Sequence, residues 1–358
     1  MAKEQCPGCK LPKYFRFIVK WNDNGTIGMG PNPSQRVVLV ESDLLDDIYT
    51  RIEAAMGASI RHIVFEAERA AAKATIDVMI PKAAPWLIRN RLVMHPASRA
   101  LQQLARIAGM ADVHTVFYHV YRGSMATVRN SINLDIFAAN VVGAFESAEG
   151  VCYAHKWSEF GGNLYLTIMP AKRKPDIAER LAPEVRPPLP GDRRIDVCPR
   201  CRVPVALRHL EFDTPNAIIT DKRRDVRMSF IDGYAFSTVF RELVAELGDE
   251  IVPIIIEASR ESAERSMKET GFLREMNGPE ATYRGFLDLL PVYGQGNPMS
   301  WNSSGDSLEV AIENPYSVYL LAGQILAVYE AVGGKTGTVA FDEFAPQAVR
   351  ITASPLEP

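Results

Sequence analysis

Two short segments of this chain carry cysteine pairs at a spacing that suits metal binding. Cys6 and Cys9 flank Pro7 in a Cys-Pro-x-Cys pattern, and the same pattern returns at Cys198 and Cys201. Proline after the first cysteine fixes one backbone angle, and a tight turn lets both sulfurs face one point. One such knuckle supplies two of the four soft ligands of a tetrahedral zinc ion, so two knuckles supply all four.

The cysteine pattern therefore predicts a structural zinc site made by both knuckles together. A four-thiolate zinc has no open coordination position, so it would act as a clamp between chain segments. Rubredoxin-like iron uses the same ligands and is the weaker alternative. Two half-sites completed by other chains, or a thiol–disulfide pair, also remain open. We identify no nucleophile–base arrangement and no paired-carboxylate motif, and therefore assign no catalytic residue.

The composition is that of an ordinary globular protein. The chain has 358 residues, of which 47% are hydrophobic and 23% charged, and its formal net charge is −3. This nearly neutral net charge does not indicate nucleic-acid binding. The N-terminal residues lack the apolar core of a signal peptide, and no run of about 18 apolar residues predicts a membrane span. We therefore expect a cytoplasmic protein, in which paired cysteines bind metal more often than they form disulfides.

The two halves of the sequence resemble each other beyond the knuckles. Residues 57–69 align without a gap with residues 248–260 and share glycine, isoleucine, glutamate, alanine and arginine positions. Further on, Asn130 aligns with Asn314 in similar surroundings. The pattern predicts a tandem duplication, with a first repeat at 1–171, a proline-rich linker at 172–194 and a second repeat at 195–358.

Hydrophobic periodicity predicts a similar order of elements in each repeat. Short strands are expected after each knuckle, at 15–19 and at 205–207. A helix over 42–56 and long apolar helices over 136–148 and 319–331 follow, with hairpins before and after the long helices. Antiparallel hairpins with grouped helices favour an α+β fold over a doubly wound parallel sheet. The sequence thus predicts two tandem copies of an antiparallel sheet-plus-helices domain, each preceded by a Cys-x-x-Cys knuckle.

Several of these segments resemble the 4-vinyl reductase domain, whose fold is shared by the small-molecule-sensing domains of some bacterial regulators and by TRAPP-type vesicle-tethering subunits. The resemblance rests on residues 306–316 and 323–334, with weaker matches at 128–131 and 141–146. It covers about residues 42–170 and 233–355. It implies helices and a sheet that enclose an apolar cavity for aromatic or lipid-like ligands, or a surface used for assembly.

The sequence departs from this family at the site where some bacterial members hold zinc. That site lies in the terminal hairpin and uses a glutamate and three cysteines. Here the first hairpin offers Cys152, His155 and Glu159 but no further thiol, and the second hairpin has neither cysteine nor histidine. The knuckles lie outside the matched region and are interpreted as a separate metal site.

Two acidic–basic pairs are the remaining candidates for contact with a ligand. Glu66 and Arg69, like Glu257 and Arg260, stand three positions apart on a predicted helix. That spacing favours an ion pair within the helix. The alternative function is contact with the head group of a ligand.

Two functional hypotheses follow. The first is a non-enzymatic, zinc-containing small-molecule-binding or sensor protein whose cavities hold a hydrophobic or aromatic ligand. The second is a TRAPP-like assembly or scaffold protein that joins partner proteins or forms a homodimer. The first predicts open apolar cavities, whereas the second predicts filled cores and an exposed apolar patch.

Overall fold

The computed structural model describes residues 5–13, 15–29, 32–79, 91–172, 180–181, 184–270, 278–304 and 306–356. Parts of the predicted linker, at 173–179 and 182–183, lie outside these residues. Within them, α-helices combine with three β-sheets whose strand pairings are all antiparallel. This confirms the mixed helix-and-antiparallel-sheet character of the predicted fold. In the same ranges, no helix has the length and apolar character needed to cross a bilayer.

The elements of the first half begin directly after the first knuckle. The helices are α1 (Phe15–Ile18), α2 (Ser42–Met56), α3 (Arg61–Met79), α4 (Arg91–Ile107) and α5 (Leu134–Glu149). The strands are β1 (Val19–Trp21), β2 (Ile27–Met29), β3 (Asn32–Glu41), β4 (Asp112–His119), β5 (Gly123–Arg129), β6 (Tyr153–Phe160) and β7 (Asn163–Pro170).

The second half follows nearly the same order. Its α-helices are α6 (Gly233–Leu247), α7 (Ile251–Thr270), α8 (Pro279–Tyr293) and α9 (Val318–Gly333), and two short 3-10 helices lie at Val205–His209 and Thr214–Asn216. Its strands are β8 (Leu210–Asp213), β9 (Ile218–Asp221), β10 (Val226–Asp232), β11 (Asn297–Ser304), β12 (Ser307–Glu313), β13 (Gly337–Ala345) and β14 (Ala348–Pro355).

The prediction of strands directly after the knuckles is wrong in both halves. Residues 15–18 form a helical turn, in which Phe15 is 2% exposed and Phe17 is 71% exposed. The alternating apolar residues therefore do not share a face as they would in a strand. In the second half Val205–His209 is a 3-10 helix that follows Pro204 and buries Leu207. Strand pairing begins only after these turns.

Strands from both halves form one central sheet with the order β1-β2-β3-β10-β9-β8. At its middle, β3 and β10 pair antiparallel, with Leu39 opposite Phe230. The register continues equally on both sides of this pair, so that Glu41 lies opposite Met228 and Val37 opposite Asp232. The two halves thus share a continuous sheet, to which each contributes three strands in the same order outward from the central pair.

Each half adds a four-stranded outer sheet of its own. The strand orders are β4-β5-β7-β6 and β11-β12-β14-β13, which follow the same connection pattern. In each half the long apolar helix that joins the two hairpins packs on an earlier helix, α5 on α3 and α9 on α7. Side-chain caps begin the long helices, since Asn133 accepts from Ile136 N at 2.8 Å and Ser317 accepts from Leu320 N at 3.4 Å.

Close packing of α9 on α7 depends on a glycine, and this leads to a stability prediction. A Cβ atom at Gly323 would lie 2.4 Å from the carbonyl oxygen of Ile256 and 2.8 Å from the backbone nitrogen of Arg260. Backbone atoms of a packed helix cannot move aside cheaply, so Gly323→Ala should lower the free energy of unfolding by about 1–3 kcal/mol. Urea titration at equilibrium measures this change.

Gly333 on the same helix is the matched control. Apart from the helix itself, the described residues place no atom within 4 Å of a Cβ at that position, so Gly333→Ala should raise stability by up to about 1 kcal/mol through helix propensity alone. Changes of the same sign and size at both positions would contradict the close-packing argument.

Candidate metal centre and ligand cavities

Both knuckles fold into the same hydrogen-bonded turn. In the first, Cys6 N donates to Leu11 O at 2.8 Å, and Lys10 N donates to Cys6 O at 2.9 Å. Lys10 has a left-handed φ of 66°, which turns the chain back after the second cysteine. The second knuckle repeats both bonds, with Arg202 at φ 64° in the place of Lys10. This turn points both sulfurs of each knuckle toward one place.

The four predicted metal ligands come together in the fold. The Sγ atoms of Cys6 and Cys198 are 3.8 Å apart, those of Cys9 and Cys201 are 3.3 Å apart, and all four lie within 4.8 Å of one another. All four residues are 1–4% exposed. A Zn–S distance of about 2.3 Å gives sulfur–sulfur separations of about 3.8 Å in a tetrahedron. The cluster is therefore close enough to hold one metal ion by all four sulfurs.

Backbone N–H groups favour the thiolate forms of Cys6 and Cys198, whereas burial raises the pKa of Cys9 and Cys201. Burial of the Cys6 thiol opposes ionisation, but the N–H groups of Cys9 and Gly8 donate to its sulfur and lower its pKa to about 6. The N–H of Cys201 lowers the pKa of Cys198 in the same way. Thiolates are the form that binds metal, and a divalent cation would hold the other two sulfurs deprotonated as well. The donor set therefore suits a soft, positively charged ion.

The metal centre lies in an apolar cluster that both halves build. β1 and β8, which follow the two knuckles, are the opposite edges of the central sheet. The knuckles nevertheless meet over the sheet face that carries Leu39 and Phe230. The ring of Phe15 packs against those of Phe212 and Phe230, with centroids 5.0 and 5.4 Å apart. A metal ion at this point would tie the first half of the chain to the second.

A cavity of about 430 Å³ lies in the first half, and we call it the first cavity. Its walls come from α3, α4, α5, the outer sheet β4-β5-β7-β6 and the central sheet. Most of the lining side chains are apolar, including Met94, Leu101, Phe137 and Phe145. Alanines on α4 and α5, such as Ala144, leave the space open. Ligand pockets in proteins typically have volumes of about 300–1,000 Å³.

One polar group at the wall of the first cavity belongs to the second half. Asp232 caps α6 by accepting from Tyr234 N at 2.8 Å, and it also accepts from Thr75 Oγ1. Behind it lies Glu68, 2% exposed, which accepts from Asn140 Nδ2 at 3.2 Å. Burial, and secondarily the charge of Asp232, raise the pKa of Glu68 to about 8. This group of polar residues was not predicted from the sequence.

A second polar group on the cavity wall is fully engaged within the protein. The carboxylate of Glu149 accepts from Tyr118 Oη at 2.8 Å and from Tyr153 Oη at 2.5 Å. Burial and the neighbouring carboxylate raise the pKa of both tyrosines, which therefore remain neutral donors. Only the position of Glu149 at the end of an apolar helix could have drawn attention to it in the sequence. The arrangement fixes the cavity wall and offers no free nucleophile.

A further cavity, of about 310 Å³, occupies the related place in the second half, and we call it the second cavity. It lies between α7, α8, α9 and β3. On its wall, Glu41 accepts from Ser266 Oγ at 2.8 Å. Ser266 and Glu41 align with Thr75 and Asp232 of the first cavity, so each half repeats a bond between a helix hydroxyl and a carboxylate of the other half.

The predicted pair Glu66 and Arg69 forms a buried ion pair. Arg69 Nη1 lies 2.9 Å from Glu66 Oε2, and Arg69 Nη2 lies 2.6 Å from Glu146 Oε1 on α5. All three side chains are less than 10% exposed. The pair is not among the residues that line either cavity, so its proposed ligand contact stays a prediction.

The predicted pair Glu257 and Arg260 has the same arrangement nearer the surface. Arg260 Nη2 lies 2.5 Å from Glu257 Oε1, and Arg260 Nη1 lies 3.0 Å from Glu330 Oε2 on α9. The Glu257 side chain is 52% exposed. This pair also does not line the cavities, and its role in ligand binding likewise stays a prediction.

The hairpin candidates for metal binding lie apart from the cysteine cluster. Cys152 is half-buried, and the His155 ring stacks on Phe65 with centroids 4.6 Å apart. Burial lowers the pKa of His155, which keeps the imidazole neutral. Across the described ranges, the four knuckle cysteines are the group of three or more His, Cys, Asp or Glu residues that is close enough to share an ion.

Comparison with known proteins yields structural similarity only at a low level. No protein-family model and no curated protein matches the chain. Among solved structures, the crystal structure of the phenol-responsive sensory domain of the transcription activator PoxR with phenol is similar over 41% of this chain and 85% of that chain. The sequence identity is 17% and the TM-score 0.34. At that level of similarity, function has to be argued from the site itself.

Proposed function

We propose that this chain is a non-enzymatic small-molecule-binding or sensor protein whose first cavity holds an apolar, aromatic or lipid-like ligand. The observation that carries the proposal is the cavity of about 430 Å³, lined mostly by apolar side chains of helices and two sheets. Its acidic groups are occupied in structural roles, since Asp232 caps a helix and Glu149 binds two tyrosines. Such a lining favours burial of an apolar body over chemistry.

We further propose that the chain arose by tandem duplication of a 4-vinyl-reductase-like domain. The repeated geometry supports this. Arg36 Nη2 donates to Gly294 O at 3.0 Å, and Arg227 Nη2 donates to Gly109 O at 3.0 Å. Both glycines follow corresponding helices and have φ 74°. Asn130 and Asn314, which align in the sequence, both have φ 53°.

The four knuckle cysteines are proposed to bind a structural zinc ion, with iron as the alternative. The sulfur–sulfur distances of 3.3 and 3.8 Å and the N–H donors to the sulfurs support a four-thiolate site. Zinc bound there would supply cohesion between the halves and leave no coordination position for a substrate. Its role in ligand binding would then be to hold the cavity walls in place.

The assembly or scaffold hypothesis predicts filled cores. A cavity of about 430 Å³ in one half favours ligand binding over that alternative. Well-packed interiors hold few voids larger than a water molecule, so ordinary core packing does not account for a cavity of this size.

Filling the first cavity tests the proposed function. Ala144 lines the cavity from α5, and Ala144→Phe would place a ring in the space that a ligand needs. We expect the neutral fluorescent probe N-phenylnaphthylamine to bind the wild-type protein with enhanced emission and to bind the variant about tenfold more weakly. Fluorescence titration measures both affinities.

The matched control is Ala154→Phe, which adds the same ring at an exposed position of β6. This variant should bind the probe like the wild type. Absence of probe binding to the wild type, or equal weakening by both variants, would contradict the proposed function.

A further inference from the structure

The second cavity differs chemically from the first, although the two occupy related places. Half of its lining residues are leucine, valine, methionine or phenylalanine. Tyr293 at the end of α8 and Gln324 on α9 also line it. The corresponding residues of the first cavity are Ala108 and Asn140. The first cavity therefore has no counterpart of the tyrosine hydroxyl at this place.

Two polar groups on residues that line the second cavity are buried without a hydrogen-bond partner in the described residues. They are the Tyr293 hydroxyl and the Gln324 side-chain oxygen, in residues that are 8% and 7% exposed. The other amide atom of Gln324, Nε2, donates to Tyr316 Oη at 2.9 Å. Rotating the amide by 180° would only exchange which of its two atoms is unpaired. A buried polar atom without a partner is unfavourable, so both groups favour a molecule that can bond to them.

The two partly buried charged residues on the wall of the second cavity, Glu41 and Arg224, are paired, whereas the third, Arg223, is exposed and contacts His209. Arg224 Nε lies 2.8 Å from Asp221 Oδ2, and the same guanidinium contacts the Glu41 carboxylate. Glu41 also accepts from Ser266. Burial raises the pKa of Tyr293, which keeps its phenol protonated. The buried charges on the wall therefore neutralise each other, which favours a neutral ligand in the buried part of the cavity.

We propose that the second cavity is a separate ligand site for a small neutral molecule with a hydroxyl or amide group on an apolar body. The polar group of the ligand bonds to Tyr293 Oη and to the free amide atom of Gln324, since hydroxyl and amide groups both donate and accept. The apolar body fills the space between Leu289, Phe286 and Val328. This site acts independently of the first cavity.

Methionine methyl groups allow the two cavities to be observed separately. Met228 and Met267 line the second cavity, whereas Met94 and Met110 line the first. We would titrate full-length, methyl-labelled protein with benzyl alcohol and with ethylbenzene, which has a similar shape but no hydroxyl. We expect benzyl alcohol to shift the Met228 and Met267 signals with an affinity about tenfold higher than that of ethylbenzene.

Tyr293→Phe tests the hydroxyl itself. The variant removes an unpaired polar atom, so it should fold with an unchanged or higher Tm and should reduce the preference for benzyl alcohol at Met228 and Met267 to about twofold or less. Tyr283→Phe, on the same helix but outside the cavity lining, is the control and should keep the preference.

Equal affinities for both probes, or a preference that survives Tyr293→Phe, would overturn the second-site proposal. No shift of Met228 or Met267 with either probe would also overturn it, because the cavity would then take up water only. Shifts of Met94 and Met110 report on the first cavity alone. Failure of one site is thereby distinguishable from failure of the other.

Discussion

Replacing Cys9 with serine is expected to remove the bound metal and lower stability by several kcal/mol. The Cys9 sulfur lies 3.3 Å from that of Cys201, and the residue is 4% exposed. A serine hydroxyl is a poor ligand for a soft ion, and losing one ligand would leave three buried thiols without their cation. Because binding to a structural site is coupled to folding, the loss appears as a lower Tm, by about 10 °C or more. Elemental analysis and a thermal melt measure the two effects.

Cys152→Ser is the control for this experiment. Cys152 is half-buried in the hairpin of the first half and lies outside the cysteine cluster. Its replacement should leave about one metal ion per chain and change Tm by only a few degrees. Wild-type protein that contains no metal and has four reactive knuckle thiols would contradict the metal site. So would a Cys9→Ser variant that keeps its full metal content.

The same samples distinguish zinc from iron. A four-thiolate zinc site is colourless and redox-inactive, whereas a four-thiolate iron site absorbs visible light and changes colour on reduction. Elemental analysis that finds iron with such an absorption spectrum would replace the zinc assignment and leave the cysteine ligands unchanged.

The knuckles show how far local sequence can predict this molecule. The Cys-x-x-Cys spacing and the proline after the first cysteine indicate that each pair binds a metal ion. Both features involve only neighbouring residues, so they can be recognised in the sequence. Their meeting depends on Cys6 and Cys198, which are 192 positions apart. The proximity of the two knuckles in space depends on the pairing of β3 with β10. No local sequence pattern specifies which strands from the two halves pair.

The cavities show the same limit to what local sequence can predict. The family resemblance implies an apolar cavity, and the long helices that wall it were predicted from their periodicity. Its polar wall was not predicted, because Asp232 in β10 reaches the first cavity only through the shared central sheet. Likewise, Tyr293 ends an apolar helix and has the sequence pattern of a core residue. Only the packed structure reveals that its hydroxyl has no hydrogen-bond partner among the described residues.

Replacing Arg69 with methionine is expected to be among the most damaging single changes outside the metal site. Its guanidinium bridges Glu66 on its own helix and Glu146 on α5, and all three side chains are at most 8% exposed. Methionine fills similar volume but removes the guanidinium that the two buried carboxylates share. Breaking a buried ion pair in this way costs about 3–5 kcal/mol, which urea titration at neutral pH would detect.

The second half provides the comparison for Arg69→Met. Arg260 makes the corresponding contacts, but the Glu257 side chain is 52% exposed and water can solvate it. Arg260→Met should therefore cost only about 1 kcal/mol. Adding Glu66→Gln and Glu146→Gln to Arg69→Met should restore part of the lost stability, because neutral amides are cheaper to bury than carboxylates that have lost the Arg69 guanidinium. Equal losses at Arg69 and Arg260 would contradict this account, because burial would then not determine the cost. Unequal losses would mean that aligned ion pairs in the two halves differ in energy according to their exposure to water.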